Sequence, residues 1–169
     1  MRKRIIASDP GDTAPAEDRS AAPPTDEWLD LDALADVEIS SEDPEYPVEG
    51  ALLPGRGSGP GSGWRAAGPG TQTIRLSFAE PIRLRRIWLD FVEPNRERTQ
   101  QFLLQWSTDG GLTFQDVVRQ QWNFSPDGGP RETEDLRVDL AGVSTLELEI
   151  VPDISGGAAV ASLAYLRLA

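Results

Sequence analysis

Regular alternation of apolar and polar residues is the sequence feature that most limits how this chain can fold. Large apolar side chains occupy every second position in residues 73–78, 87–91, 102–106, 136–140 and 146–150. Such residues share one face of an extended strand, whereas an amphipathic helix would space them by three or four. Because turns containing glycine or proline separate the segments, the pattern predicts an all-β fold of two packed antiparallel sheets.

The clearest turn signal is Asp109-Gly110-Gly111, which lies between two alternating segments. Glycine reaches positive φ without a Cβ clash, so this tripeptide favours a tight hairpin. The strand before the turn carries Trp106, and the strand after it begins near Phe114. We therefore expect these two strands to pair with each other.

The composition excludes several kinds of site and partner. The 169 residues contain no cysteine and no histidine, which removes disulfides, Ser-His-Asp triads and histidine- or thiolate-based metal centres. The formal net charge of −12 repels phosphate backbones, so we expect no nucleic-acid partner. No apolar run approaches the roughly 20 residues that span a bilayer. The chain begins with basic residues, but Asp9-Pro10-Gly11 follows so soon that no apolar core of a signal peptide can form. We expect a soluble, cytoplasmic protein with no membrane partner.

The chain divides into an extension and a domain. Residues 1–36 are acidic and rich in proline and alanine, and we expect them to be largely disordered because they bury too little apolar surface to offset the entropy of ordering. Within them, Trp28, Leu31 and Leu34 recur at about helical spacing. This segment could dock on its own domain or serve as a linear motif for another protein. Residues 37–169 are expected to form the sandwich.

Trp88 stands on the face of its strand opposite to Ile87, Leu89 and Phe91. A large aromatic side chain on an outer face needs a cover or a partner. The segment around Trp28 could supply the cover, and a dimer contact is the alternative. We favour the cover and expect a monomer or a weak dimer.

Five stretches of the chain, taken in order, match the sequence features of a known group of domains. A strand that ends in Ser-Thr-Asp-Gly at residues 107–110, followed by an aromatic residue at position 114, resembles their central hairpin. Residues 39–52 resemble the first strand and its turn, and Gly63-Trp64-Arg65-Ala66 resembles a Trp-containing element. Residues 73–91 resemble the paired central strands, and residues 145–150 with 162–168 resemble the closing strands. These features resemble the discoidin, or coagulation factor 5/8 C-terminal-type, domains. The resemblance implies an antiparallel two-sheet jelly-roll β-sandwich, which is galactose-binding domain-like.

The resemblance also implies a function. The group includes carbohydrate-binding modules, so the expected function is a non-catalytic module that binds carbohydrate through loops at one end of the sandwich. Other domains of this fold act as adaptor subunits inside cells, and an intracellular protein–protein interaction module is therefore the alternative. The expected partner is a carbohydrate or a protein.

No cofactor is expected. Many of the relatives carry an Asp-Gly turn that helps to hold a structural calcium ion, where this chain has Leu53-Pro54-Gly55. Calcium takes six to eight oxygen ligands, and leucine supplies only its backbone carbonyl. Calcium binding remains the alternative that the resemblance implies.

Strand parity locates the candidate site. Consecutive antiparallel strands place alternate loops at opposite ends, so the long loops at about 93–99, 125–132 and 152–160 should share one end. Long loops on a rigid scaffold are where binding residues usually lie. The candidate ligand-binding residues are Asn95, Arg96, Arg98, Asn123, Phe124 and Asp153.

The resemblance assigns the sugar hydroxyls to Asn95 and Arg96, and an aromatic ring, Trp122 or Phe124, would cover the apolar face of the sugar. Two other interpretations stay open. Arg96 and Arg98 could form a solvated ion-pair cluster with nearby glutamates, and Trp122 could belong to the core.

Two further features resemble sites but are better explained otherwise. The glycine-rich residues 55–63 are not followed by the lysine of a P-loop, so they are expected to form a flexible loop. Residues 131–135 hold several carboxylates, and glycosidases use a carboxylate pair, but a charge-rich strand edge is normally just solvated. We therefore expect no catalysis.

Overall fold

The structure is a computed structural model that describes residues 1–5, 28–53, 55 and 63–169. Of the extension expected to be largely disordered, residues 1–36, residues 6–27 lie outside these described residues, as do residues 56–62 of the loop expected at 55–63. The two helices of the described part have four residues each, and none in that part could cross a membrane. The elements are β1 (Lys3–Ile5), α1 (Leu31–Leu34), β2 (Ala35–Ile39), α2 (Glu49–Leu52), β3 (Trp64–Pro69), β4 (Gln72–Val92), β5 (Arg98–Ser107), β6 (Gln115–Phe124), β7 (Arg131–Val151), β8 (Val160–Leu163) and β9 (Tyr165–Leu168).

The strands form the two layers of a sandwich, as the alternation predicted. Hydrogen bonds join β1, β2, β4, β7, β5 and β6 in that order, β9 also pairs with β4, and β3 pairs with β8. The 21-residue strands β4 and β7 pair along most of their length. In one layer, the part of β4 near residue 72 lies beside β2, and the part of β7 near residue 151 lies beside β5. The other end of β4 lies beside β9 in the second layer.

Strands β4 and β7 bend together where they pass between the layers. Residues 80–82 of β4 and 141–143 of β7 form this corner, and the register of the pair shifts three times between Ser77 and Arg86. The expectation that residues 73–91 contain two strands paired with each other is therefore wrong, because both segments pair with β7. Strands change layers through bends and bulges, and sequence alternation alone does not distinguish such a bend from a turn.

The apolar face of each alternating segment packs between the layers. Phe91 of β4 and Phe102 of β5 stack with ring centroids 5.2 Å apart. The side chain of Trp64 is 1% exposed, and its indole N–H donates to the Ser41 carbonyl at 3.2 Å. Most of the predicted core positions are buried, among them Ile74, Leu76, Ile87, Leu89, Leu104, Leu146, Leu148 and Ile150. Trp106, Leu136, Val138 and Leu140 are only partly buried and pack against that core.

The chain immediately before β2 packs against the sandwich. Leu31 of α1 belongs to the core, and the boundary expected after residue 36 falls inside β2. The guanidinium carbon of Arg86 lies 5.3 Å from the ring centroid of Trp28 and 5.8 Å from that of Trp88. Trp88 is only 4% exposed, and its contact with Arg86, which also contacts Trp28, agrees with the predicted cover.

The predicted hairpin joins β5 and β6 and is held by the carboxylate of Asp109. This carboxylate accepts hydrogen bonds from the hydroxyls of Ser107 and Thr113 at 2.5 and 2.6 Å. It also accepts from the backbone N–H groups of Leu112 and Thr113 at 3.1 and 2.9 Å. The bond from Ser107, followed by those from Thr113, holds the pKa of Asp109 well below its usual range.

Candidate functional site

Three loops meet at one end of the sandwich, as strand parity predicted. The Glu93 N–H donates to the Pro130 carbonyl at 2.8 Å, which joins the loop after β4 to the start of β7. The Ile154 N–H donates to the Thr99 carbonyl at 2.9 Å, which joins the loop after β7 to the start of β5. The loops are therefore anchored to paired strands and to one another.

One cleft at this end, here called the Ile154 cleft, has a volume of about 500 Å³. The Asn123 side-chain oxygen accepts a hydrogen bond from the Thr99 hydroxyl at 2.7 Å. The Asp153 carboxylate accepts from the Ser155 N–H and hydroxyl at 2.9 and 2.6 Å. Ile154 is 47% exposed, so polar groups with fixed directions stand beside an apolar surface. The lining residues are Glu97, Arg98, Thr99, Asn123, Phe124, Ser125, Asp153, Ile154 and Ser155.

Arg98 and Phe124 support this cleft from beneath. Arg98 is 6% exposed and Phe124 is 2% exposed, and the guanidinium carbon lies 5.5 Å from the ring centroid. One terminal nitrogen of Arg98 donates to the carbonyls of Pro152 and Val160, both at 3.1 Å. These contacts tie β5 to the loop after β7, and the Phe124 ring is not open to solvent as a stacking surface.

A second cleft, here called the Arg65 cleft, has a volume of about 280 Å³. Arg65 and Arg96 are exposed, and the Arg65 guanidinium carbon lies 4.1 Å from the Tyr46 ring centroid. Asn95 is exposed, and its N–H donates to the Glu93 carboxylate at 3.0 Å. The lining residues are Arg65, Val92, Glu93, Pro94, Asn95, Arg96, Ala158, Val160 and Ser162.

The charges of the two clefts interact through Arg98. Its Nε lies 3.4 Å from a carboxylate oxygen of Glu93, so the predicted ion-pair cluster is present in part. Burial lowers the pKa of the Arg98 guanidinium, Glu93 and Asp153 raise it, and the positive charge of Arg96 lowers it further. The buried cation is therefore held by carboxylates that border both clefts.

The structure divides the six predicted residues between the clefts. Arg98, Asn123, Phe124 and Asp153 line the Ile154 cleft, whereas Asn95 and Arg96 line the Arg65 cleft. Asn95 and Arg96 lie in the loop after β4 and line this cleft together with Arg65 and Ser162, which are paired on β3 and β8.

Sequence reasoning missed Arg65 and Ile154 as site residues. Arg65 is about 30 positions from Asn95 in the chain, and only the pairing of β3 with β8 brings it to the loop end. The sequence does contain a feature that could have identified Ile154 as a site residue, because it is an isolated large apolar residue in a polar loop, Asp153-Ile154-Ser155-Gly156.

No protein-family model matches the sequence, and no curated protein sequence matches it. Solved structures do match. A family 32 carbohydrate-binding module from Clostridium perfringens in complex with galactose shares 13% identity at a TM-score of 0.58, over 83% of this chain and 96% of that one. A pectin-binding carbohydrate-binding module shares 15% identity at a TM-score of 0.55, over 80% of this chain and 89% of that one. A Ruminococcus gnavus fucosidase in complex with fucose shares 10% identity at a TM-score of 0.58, over 79% of this chain.

The chain has the discoidin-like jelly-roll fold. It spans 24% of the length of the fucosidase but nearly the whole of the C. perfringens module. At these identities the comparisons establish the discoidin-like fold alone.

Three buried polar groups of the discoidin-like fold line neither of the two clefts. Gln100 and Glu132 are 1% and 3% exposed. The side-chain polar atoms of Gln100 and the buried Trp122 Nε1 have no hydrogen-bond partner among the described residues, and Glu132 lies beside Glu134. Gln100 and Trp122 are paired on β5 and β6. Trp122 packs against the core, which agrees with the core interpretation of this residue.

The described residues contain no group of three or more Asp or Glu side chains placed to hold a metal ion. The Leu53-Pro54-Gly55 turn considered for calcium includes Pro54, which lies outside the described part of the chain.

Proposed function

We propose that this chain is a non-catalytic carbohydrate-binding module and that the loop end of the sandwich holds the ligand. One observation carries the proposal: each cleft places an exposed apolar side chain beside directional polar groups. Val92 is 39% exposed in the Arg65 cleft and Ile154 is 47% exposed in the Ile154 cleft. A sugar ring presents an apolar face and paired hydroxyls, so it needs both kinds of contact.

The polar groups suit hydroxyl recognition. The Arg96 guanidinium offers several N–H donors, and the side-chain amide of Asn95 offers both donors and an acceptor. Both side chains are exposed. Because the contacts are few and solvent-accessible, we expect weak, millimolar-range binding to a single sugar unit.

Two carboxylates near the loop end are engaged by neighbouring groups, which favours binding over catalysis. Glu93 is engaged by Arg98 and by the Asn95 N–H, and Asp153 is engaged by Ser155. Glycosidases use a pair of carboxyl groups that flank the scissile bond. The fold resemblance to carbohydrate-binding modules supports the same conclusion.

A glycan array probed with three forms of the protein tests the proposal. The parent chain should bind a defined set of glycans. Arg96→Ala should lose that binding if the ligand occupies the Arg65 cleft, and Asn123→Ala should lose it if the ligand occupies the Ile154 cleft. The variant that removes the binding residue should lower the glycan affinity about tenfold or more, because hydrogen bonds to a planar group are directional.

Leu112→Ala is the matched control, because Leu112 is 85% exposed at the β5–β6 hairpin, away from both clefts. It should bind as the parent does. A parent chain that binds no glycan would overturn the carbohydrate proposal, and a search for a protein partner would follow.

A further inference from the structure

Arg65 and Arg96 differ from most arginines of the described chain in their lack of an acidic partner. Arg83, Arg86 and Arg131 each hold a carboxylate oxygen at 2.6 Å. In the part of the chain that the structure describes, neither Arg65 nor Arg96 forms an ion pair, although the whole chain carries 28 Asp and Glu against 16 Lys and Arg. Two unpaired guanidinium groups therefore border one small cleft in a strongly acidic protein.

Among the described residues, Arg65 is held in place without any hydrogen bond from its guanidinium group. Its guanidinium lies over the ring of Tyr46 at 4.1 Å. Its backbone N–H donates to the Tyr46 carbonyl at 3.1 Å, and its carbonyl accepts from the Asp43 N–H at 2.8 Å. Stacking on an aromatic ring uses the face of a guanidinium and leaves the N–H groups at its edge free for a ligand.

The carboxylate that lines the same cleft does not neutralise these charges. One oxygen of Glu93 lies 3.4 Å from Arg98 Nε, and the other accepts from the Asn95 N–H at 3.0 Å. Arg98 is itself a cation, and Arg96 lowers its pKa, so the positive charges repel one another. An anion bound between the exposed guanidinium groups would relieve that repulsion.

We propose, building on the carbohydrate-binding function above, that the Arg65 cleft takes a saccharide bearing a carboxylate, a uronic acid held by Arg65 and Arg96. A guanidinium and a carboxylate are both planar and form paired, charge-assisted hydrogen bonds. Asn95 and Ser162 are placed to meet ring hydroxyls, and the exposed Val92 side chain faces the apolar side of a sugar.

The matched probes are galacturonate and galactose. They differ only at C6, which is a carboxylate in galacturonate and a hydroxymethyl group in galactose. Each is titrated into the isotopically labelled full chain, and binding is followed by NMR chemical shifts. We expect galacturonate to bind about tenfold more tightly than galactose. Arg65→Gln and Arg96→Gln should each lower galacturonate affinity about tenfold and change galactose affinity far less, since they remove charge while keeping hydrogen-bonding groups.

Arg85→Gln is the charge-matched control. Arg85 is exposed on β4, seven residues from Val92, which is about 23 Å along an extended strand. The change alters the net charge equally but should leave the galacturonate preference intact. Loss of the preference in this variant would mean that overall charge, and not the cleft, is responsible.

The outcomes separate this inference from the function on which it rests. Equal affinities for the two sugars at the Arg65 cleft, or array binding confined to neutral glycans, would overturn the uronic-acid assignment and leave the carbohydrate-binding function standing. No response to either sugar, together with a blank array, would overturn both.

Discussion

Glu132 and Glu134 lie on the strand face of β7 that points between the two layers. They pair with Phe91 and Leu89, whose side chains are buried in the core. Burial raises the pKa of Glu132 to about 8, and the neighbouring Glu134 adds to the shift. Burial also raises the pKa of Glu134. Two carboxylates cannot hydrogen-bond to each other, but a protonated Glu132 can donate to Glu134.

This arrangement predicts that the fold loses stability as pH rises from about 4.5 to about 8. In that range the unfolded chain has released the proton of Glu132, whose ordinary pKa is 4.5, while the folded chain retains it. Folding is therefore favoured at the acidic side of the window. Glu132→Gln should flatten this dependence and stabilise the protein at pH 8 by a few kcal/mol, at most about 5.

Urea unfolding at pH 5 and pH 8 measures the effect. The parent should lose more stability between the two pH values than Glu132→Gln does. Glu80→Gln, a change at an exposed position, should behave as the parent. Parallel pH curves for the parent and Glu132→Gln would contradict the expectation.

At the level of elements, the corner in β4 and β7 decides how the sandwich closes. Gly142 lies in the β7 part of the corner with φ of 72°, a conformation that side chains other than glycine rarely adopt. A Cβ there would meet no other atom within 4 Å, so any effect of substitution must come from the backbone conformation and not from crowding.

Gly142→Ala should therefore destabilise the protein by about 1 kcal/mol. Thermal unfolding measures the change. Gly68→Ala is the matched control, because its Cβ would also meet no atom within 4 Å and its φ is outside the left-handed region. Identical melting temperatures for Gly142→Ala and the parent would show that the corner tolerates another conformation.

Across the whole molecule, the aromatic contacts on the outer face of β4 and the two proposed binding clefts involve different residues. Trp28, Arg86 and Trp88 stack on the outer face of β4, and none of them lines the Arg65 or the Ile154 cleft. Effects on sites without shared partners usually add independently. Stability and binding should therefore be separable by mutation.

Trp28→Ala is predicted to lower stability and to leave binding unchanged. It removes a cation–π contact to the Arg86 side chain, which is 3% exposed and also contacts Trp88, at a cost of about 1–2 kcal/mol. Thermal unfolding should show the loss, while the glycan profile on the array should match that of the parent. A variant that remains folded but loses its glycan binding would show that the N-terminal segment contributes to the site.

Local sequence features were sufficient to predict the strand pattern, the hairpin and the shared end of the long loops. The alternation of side chains along a strand depends only on neighbouring residues. The same holds for the Ser107-Thr108-Asp109-Gly110 turn, because the Asp109 carboxylate accepts hydrogen bonds from residues within four positions of it. The common loop end followed from counting strands, and the contacts of Glu93 with Pro130 and Ile154 with Thr99 confirm it.

Tertiary structure alone decided which strands pair outside the β5–β6 hairpin, where the chain changes layers and which side chains share a cleft. Residues 73–78 and 87–91 read as two strands, yet they belong to one strand because both find partners in β7. Arg65 joins Arg96 only through the pairing of β3 with β8. The burial that shifts the pKa of Glu132 likewise depends on residues distant in sequence. Alternation determines the face on which a residue lies, but long-range packing selects its neighbours.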